Sequence, residues 1–178
     1  MTPGRGADVP SLVIDAGTPS ETVVTESVAI LTYVAALAGP EAEAAVLGRD
    51  ALQRGKTTEL LAFAAGTIHG RGYAMLWRPL RFTDDEAAWD GVRAKARPVV
   101  EWAYGIVEDK LADRPAATGA ADVGAADFYL YVFWRWGTEL GVDMEGRFPR
   151  YGKLVRTVES IESVRKTLEA EKLVPSFS

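Results

Sequence analysis

Strand-like patterning is confined to residues 9–25 of this chain; from there on the apolar residues recur at helical spacing. Two short strands cannot enclose a core by themselves, so helices must supply it. Val9 to Ile14 is apolar and β-branched, and Thr22-Val23-Val24-Thr25 is a second short strand. The turn-forming run Asp15 to Ser20 joins them as a hairpin with a long loop. A helix follows from Ser27, with Val28, Leu31, Val34 and Ala35 three or four apart, and Gly39-Pro40 ends it. Ala42 to Arg54 is rich in Ala and Glu and poor in bulky residues, which reads as a linker with helical character.

Five helices are predicted beyond it. Thr57–Trp77 is closed by Pro79, and Asp84–Leu111 has Thr83 as its N-cap and Pro98 as an internal kink. Arg114 to Val123 is loop. Gly124–Leu140 carries Phe128, Tyr129, Tyr131, Phe133, Trp134 and Trp136 around its circumference, so it is placed at the centre, buried on nearly all sides. Pro149–Val158 and Ser160–Lys172 complete the set. The fold class is α+β, mainly α, divided near residue 40 into segments 1–40 and 41–178.

Composition excludes several functions. The formal net charge of −5 argues against a nucleic-acid footprint and against docking on anionic lipid. Cysteine is absent and His69 is the single histidine, so disulfides, thiolate nucleophiles and Cys- or His-built metal sites are not expected. No apolar run reaches the roughly 20 residues of a membrane span. No h-region follows Met1, so a cytoplasmic protein is expected. Gly55-Lys56-Thr57-Thr58 is not a phosphate loop, because Asp50 stands where that loop needs glycine. Gly70-Arg71-Gly72 lacks a third glycine, and no G-x-S-x-G elbow occurs.

Val9-Pro10-Ser11-Leu12-Val13-Ile14, followed by Thr25-Glu26-Ser27, resembles the glutathione transferases, where a Val-Pro-x-Leu strand leads to a Glu-Ser pair at a helix start. Leu60-Leu61-Ala62-Phe63, Ile68-His69 and Leu76-Trp77-Arg78-Pro79 are similar to the first helix of the helical domain in bacterial, Beta-like members. Gly124-Ala125-Ala126-Asp127 stands at the family's Ser/Thr-x-x-Asp capping box, and Phe148-Pro149-Arg150-Tyr151 at the start of its penultimate helix.

The resemblance implies a partial thioredoxin-like β-β-α remnant followed by an all-helical domain. It implies glutathione as co-substrate and no metal. Val9 and a cis Pro10 would present backbone to the cysteinyl part. Ser27 would meet the γ-glutamyl carboxylate at a helix N-terminus, where free N–H groups favour an anion. Glu26 would accept from the ammonium. His69 would stand near the sulfur as the catalytic residue. Ala62 and Gly70 depart from the asparagine and lysine that Beta-like members carry there. Ala62, Ala65, Gly66, His69 and Tyr73 lie three or four apart and share a helix face. Tyr73, Trp77 and Tyr104, with Trp102, are the aromatic candidates for an apolar electrophile's pocket.

The family's thioredoxin-like domain begins with a strand-helix-strand unit that carries the thiol-activating residue, and nothing upstream of Val9 matches it. The expectation is therefore a bare edge on the first strand and an exposed apolar face on the Ser27–Ala38 helix. Two functions follow. One is thiolate conjugation to an electrophile, in a homodimer, once that unit is supplied. The alternative is a non-catalytic binding or assembly module.

Overall fold

The computed structural model describes residues 10–114 and 120–177. Strand β1 (Ser11–Ile14) pairs antiparallel with β2 (Thr22–Thr25), with Ser11 opposite Thr25 and Ile14 opposite Thr22. Among the described residues β1 has no other partner. Val13 and Val23 remain exposed. Helix α1 (Ser27–Leu37) packs Val28 and Leu31 against the core, buries only Ala35, and leaves Val34 and Leu37 in solvent.

The linker expected at Ala42–Arg54 is instead two helices, α2 (Pro40–Leu47) and α3 (Ala51–Phe63). Pro40 stops α1 and also opens α2, since a missing N–H costs nothing at the first helical position. Gly48, at φ 120°, makes the break. The Asp50 carboxylate then accepts the Gln53 N–H at 2.8 Å and starts α3. Alanine and glutamate are strong helix formers, so a segment without bulky residues still folds as helix.

Helix α3 runs without interruption into a π-helical segment, Ala64–Tyr73, and then α4 (Ala74–Trp77). A short 3-10 turn, Pro79–Arg81, follows. The next long helix, α5, spans Trp89–Ala112 and continues through Pro98. Its approach differs from expectation. Thr83 accepts from the Asp85 N–H, and Asp85 in turn caps a 3-10 turn at Ala87. The acidic residues thus bend the chain before α5 rather than forming its first turn.

Helix α6 (Ala125–Glu139) lies at the centre, against α3, the π segment, α7 (Met144–Arg147) and α8 (Pro149–Ser160), with α9 (Glu162–Ala170) on α8. It is not sealed on nearly all sides. Val132, Thr138 and Glu139 face solvent, while Leu130, Phe133, Trp134 and Gly137 are buried. A Cβ on Gly137 would stand 2.6 Å from the Met144 sulfur and 2.9 Å from the Tyr104 ring, so glycine lets α5, α6 and α7 close together.

Buried carboxylates fasten the bundle. Asp127 accepts both guanidinium arms of Arg114, at 2.7 and 2.9 Å, and the Gly124 N–H at 2.9 Å. Gly124 has no side chain to return the bond, so this is half of a capping box. Glu108 of α5 accepts the N–H groups of Arg150 and Tyr151 at the start of α8, where the helix dipole favours a negative charge. Glu159 receives the Tyr131 hydroxyl and the Ser176 and Phe177 N–H groups, pinning the C-terminal tail. Among the described residues no helix is long and apolar enough to cross a membrane.

Candidate functional site

Two features mark the candidate site, the start of α1 and the π segment, and Glu26 of the first acts electrostatically on His69 of the second. The first is the start of α1. Its N-cap is Glu26, at φ 72° and ψ 120°, a left-handed conformation unusual for a residue with a side chain. No side chain caps this helix, so neither Thr25 nor Ser27 takes up the first-turn N–H groups. Those donors and the positive dipole end remain available to an anion. Glu26 is exposed and Ser27 half-buried. Pro10 is exposed directly before β1, and Val9 lies outside the described residues.

The second feature is the π segment, whose wide turns are often found at functional sites. Small residues permit it. A Cβ on Gly72 would meet the Val100 side chain at 2.7 Å, so glycine allows the segment to lie close on α5. His69 and Tyr73 both turn toward α6. The His69 ring stands 5.8 Å from Trp136 and 6.3 Å from Phe133, and Tyr73 lies 5.0 and 6.3 Å from the same rings. Their depths differ, since Tyr73 is sealed and His69 reaches solvent.

Burial lowers the His69 pKa from its ordinary 6.5, and the charges of Arg81 and then Arg78 lower it further, while Glu26 opposes them. His69 is therefore neutral at pH 7, with one ring nitrogen free to accept a proton or hydrogen bond. Glu26, His69, Arg78 and Arg81 share one electrostatic neighbourhood although they come from α1, the π segment and the turn after α4.

The aromatic candidates separate. Trp77 is 52% exposed and lies 4.7 Å from both Tyr73 and Trp136, so it forms the open end of the cluster around His69. Tyr73 and Tyr104 are fully buried; their hydroxyls lie 2.7 Å apart, and Tyr104 donates to the Phe133 carbonyl. Burial raises the Tyr73 phenol to about 12 and pushes Tyr104 higher still. Trp102 is exposed beside Phe63, apart from the cluster. Trp136, Arg78 and Arg81 were missed in the sequence. The signal for the arginines was two cations astride Pro79-Leu80, next to an aromatic residue.

A groove of about 680 Å³ lies elsewhere, between α2, α3 and the facing ends of α5 and α6. Its Lys110 and Arg114 are already paired with Glu59 and Asp127. Among the described residues no three His, Asp or Glu side chains are grouped to hold a metal ion.

No protein-family model matches the chain. It is 31% identical over 159 residues to a glutathione S-transferase-like protein of Aspergillus aculeatus, covering 86% of this chain and 71% of the relative. A solved glutathione transferase homologue from Sulfitobacter, with bound glutathione, superposes with a TM-score of 0.75 at 25% identity, over 88% of this chain and 72% of that one. The beta-class glutathione S-transferase of Sphingomonas chungbukensis gives a TM-score of 0.71 at 27% identity, over 94% and 75%.

Proposed function

Because the chain belongs to the glutathione S-transferase family, we propose that it binds glutathione across the start of α1 and presents the sulfur beside His69. The observation that carries this reading is the uncapped N-terminus of α1 with Glu26 held at positive φ. The first-turn N–H groups and Ser27 receive the γ-glutamyl carboxylate, and the Glu26 carboxylate accepts from the ammonium. A zwitterionic end group is thus matched by opposite charges a few ångströms apart.

His69 gives the thiol its acceptor. A neutral imidazole that takes a hydrogen bond from S–H, or the proton itself, favours the thiolate. The thiolate then attacks an electrophilic carbon. The S–C bond forms as the leaving group departs with its bonding electrons, and the thiol proton passes to water. The open face of Trp77 supports the apolar part of that electrophile, with Tyr73 and Tyr104 as its rigid backing. Homodimerisation belongs to the same reading.

A non-catalytic, glutathione-binding module is the second reading. It rests on Tyr73 and Tyr104, whose buried and paired hydroxyls are unavailable to activate a thiol.

Calorimetric titration of glutathione into the 178-residue chain tests the binding step. Glu26→Gln should weaken binding by about tenfold or more, the loss of one charge-assisted hydrogen bond. Absence of binding by the folded chain, or binding that Glu26→Gln leaves unchanged, would contradict it.

A further inference from the structure

Most arginines of the bundle are anchored. Arg97, Arg147, Arg150 and Arg156, for example, each meet a carboxylate. Arg78 and Arg81 differ: both are exposed, and among the described residues neither guanidinium has an ion-pair or hydrogen-bond partner. Arg78 precedes the 3-10 turn that follows α4, and Arg81 ends it. Residues 77–82 also expose three large apolar side chains, Trp77 at 52%, Leu80 at 60% and Phe82 at 42%. Surface apolar groups scattered singly are ordinary, but three within six residues, interleaved with two unpaired cations, are a binding surface in composition. Its position is fixed by the ring contacts, since Trp77 lies against Trp136 and Trp136 against His69.

We infer that this turn selects the second substrate, an electrophile that joins an apolar or aromatic body to a carboxylate. Trp77, Leu80 and Phe82 take the body, and Arg78 and Arg81 take the anion. A planar guanidinium pairs with a carboxylate through two parallel hydrogen bonds and also lies well against an aromatic face. Glu26 carries the opposite charge, so the site's two ends distinguish ammonium from anion. The inference rests on the reading that glutathione sulfur sits beside His69.

Two glutathione conjugates test it, S-(para-carboxybenzyl)glutathione and its uncharged para-carbamoyl counterpart. Each is titrated calorimetrically into the full chain at low ionic strength, with glutathione alone as a third ligand. The carboxylate conjugate should bind about tenfold more tightly than the amide. The double variant Arg78→Gln, Arg81→Gln should abolish that preference while leaving glutathione and the amide conjugate unchanged. Arg165→Gln, which removes an exposed cation on α9, should preserve it. Equal binding of the two conjugates by a chain that binds glutathione overturns the inference and leaves the glutathione reading intact. Weakening of glutathione itself in the double variant also overturns it, because the arginines would then hold glutathione's own glycine carboxylate. Failure of all three ligands to bind overturns the glutathione reading and the inference with it.

Discussion

Helix α1 is the more apolar of α1 and α6, yet it is the one left largely unburied. α6 buries eight of its fifteen residues, among them Phe133 and Trp134, whereas α1 buries Ala35 alone of its eleven. The difference lies in what surrounds them. α6 is enclosed by α3, the π segment, α7 and α8, while α1 has the hairpin and α2. The helical bundle therefore holds nearly all of the buried core and is expected to carry the stability, and the hairpin with α1 is a lightly buried arm on that base. The site described above draws on both. In the proposed reading Glu26 and Ser27 come from the arm, and His69 and Trp77 come from the base.

The comparison breaks most visibly through the bundle. Asp127→Ala removes a buried carboxylate that accepts three hydrogen bonds and leaves Arg114 without its partner. Losing one member of a buried pair costs about 3–5 kcal/mol, and Arg114 retains partial solvent contact, so about 3 kcal/mol is expected in urea unfolding. A loss below about 1 kcal/mol would show that the bundle does not depend on this fastening.

The seam between the two parts gives a smaller effect, read by pH. The folded-state pKa of His69 is lowered, so folding favours the neutral ring. The stabilisation is complete above the unfolded value near 6.5 and is lost as the pH falls through the folded value. Chemical denaturation between pH 7.5 and 5 should show stability falling with pH, and His69→Gln should flatten that part of the slope. An unchanged slope in the variant would assign the dependence to other groups.

The arm gives the smallest effect. Val23 is 54% exposed on β2, and Val23→Thr keeps the β-branch. Its unfolding free energy should stay within about 0.5 kcal/mol of the parent. A larger loss would mean that the hairpin contributes to the stability assigned here to the bundle.

Much of the fold was legible in the residues. Apolar, β-branched runs and the turn residues between them placed the hairpin, and the aromatic run 128–136 placed the central helix. The Ala42–Arg54 segment misled because apolar periodicity detects burial, and a helix built of Ala, Glu and Gln has little to bury. The π segment was invisible for a related reason. Its wide turns go with Gly72 lying close on Val100 of α5, a tertiary fact that local spacing does not record. Spacing also could not separate Tyr73 and Tyr104, sealed in the core, from Trp77, half-open at its edge. What distinguishes them is depth. The Glu-Ser pair of the proposed site was readable from motif, but the arginines flanking Pro79-Leu80 gained meaning only when His69 and Trp77 were placed beside them.

The account's central claim is that glutathione bridges the arm and the base. Hydrogen–deuterium exchange of the full chain, with and without saturating glutathione, tests it most directly. Without ligand, amides of β1, β2 and the first turn of α1 should exchange far faster than those of α6. With glutathione, protection should rise at residues 26–30 and around His69 while α6 stays unchanged. Protection confined to the groove between α2 and α3, or no change in the first turn of α1, would contradict the claim.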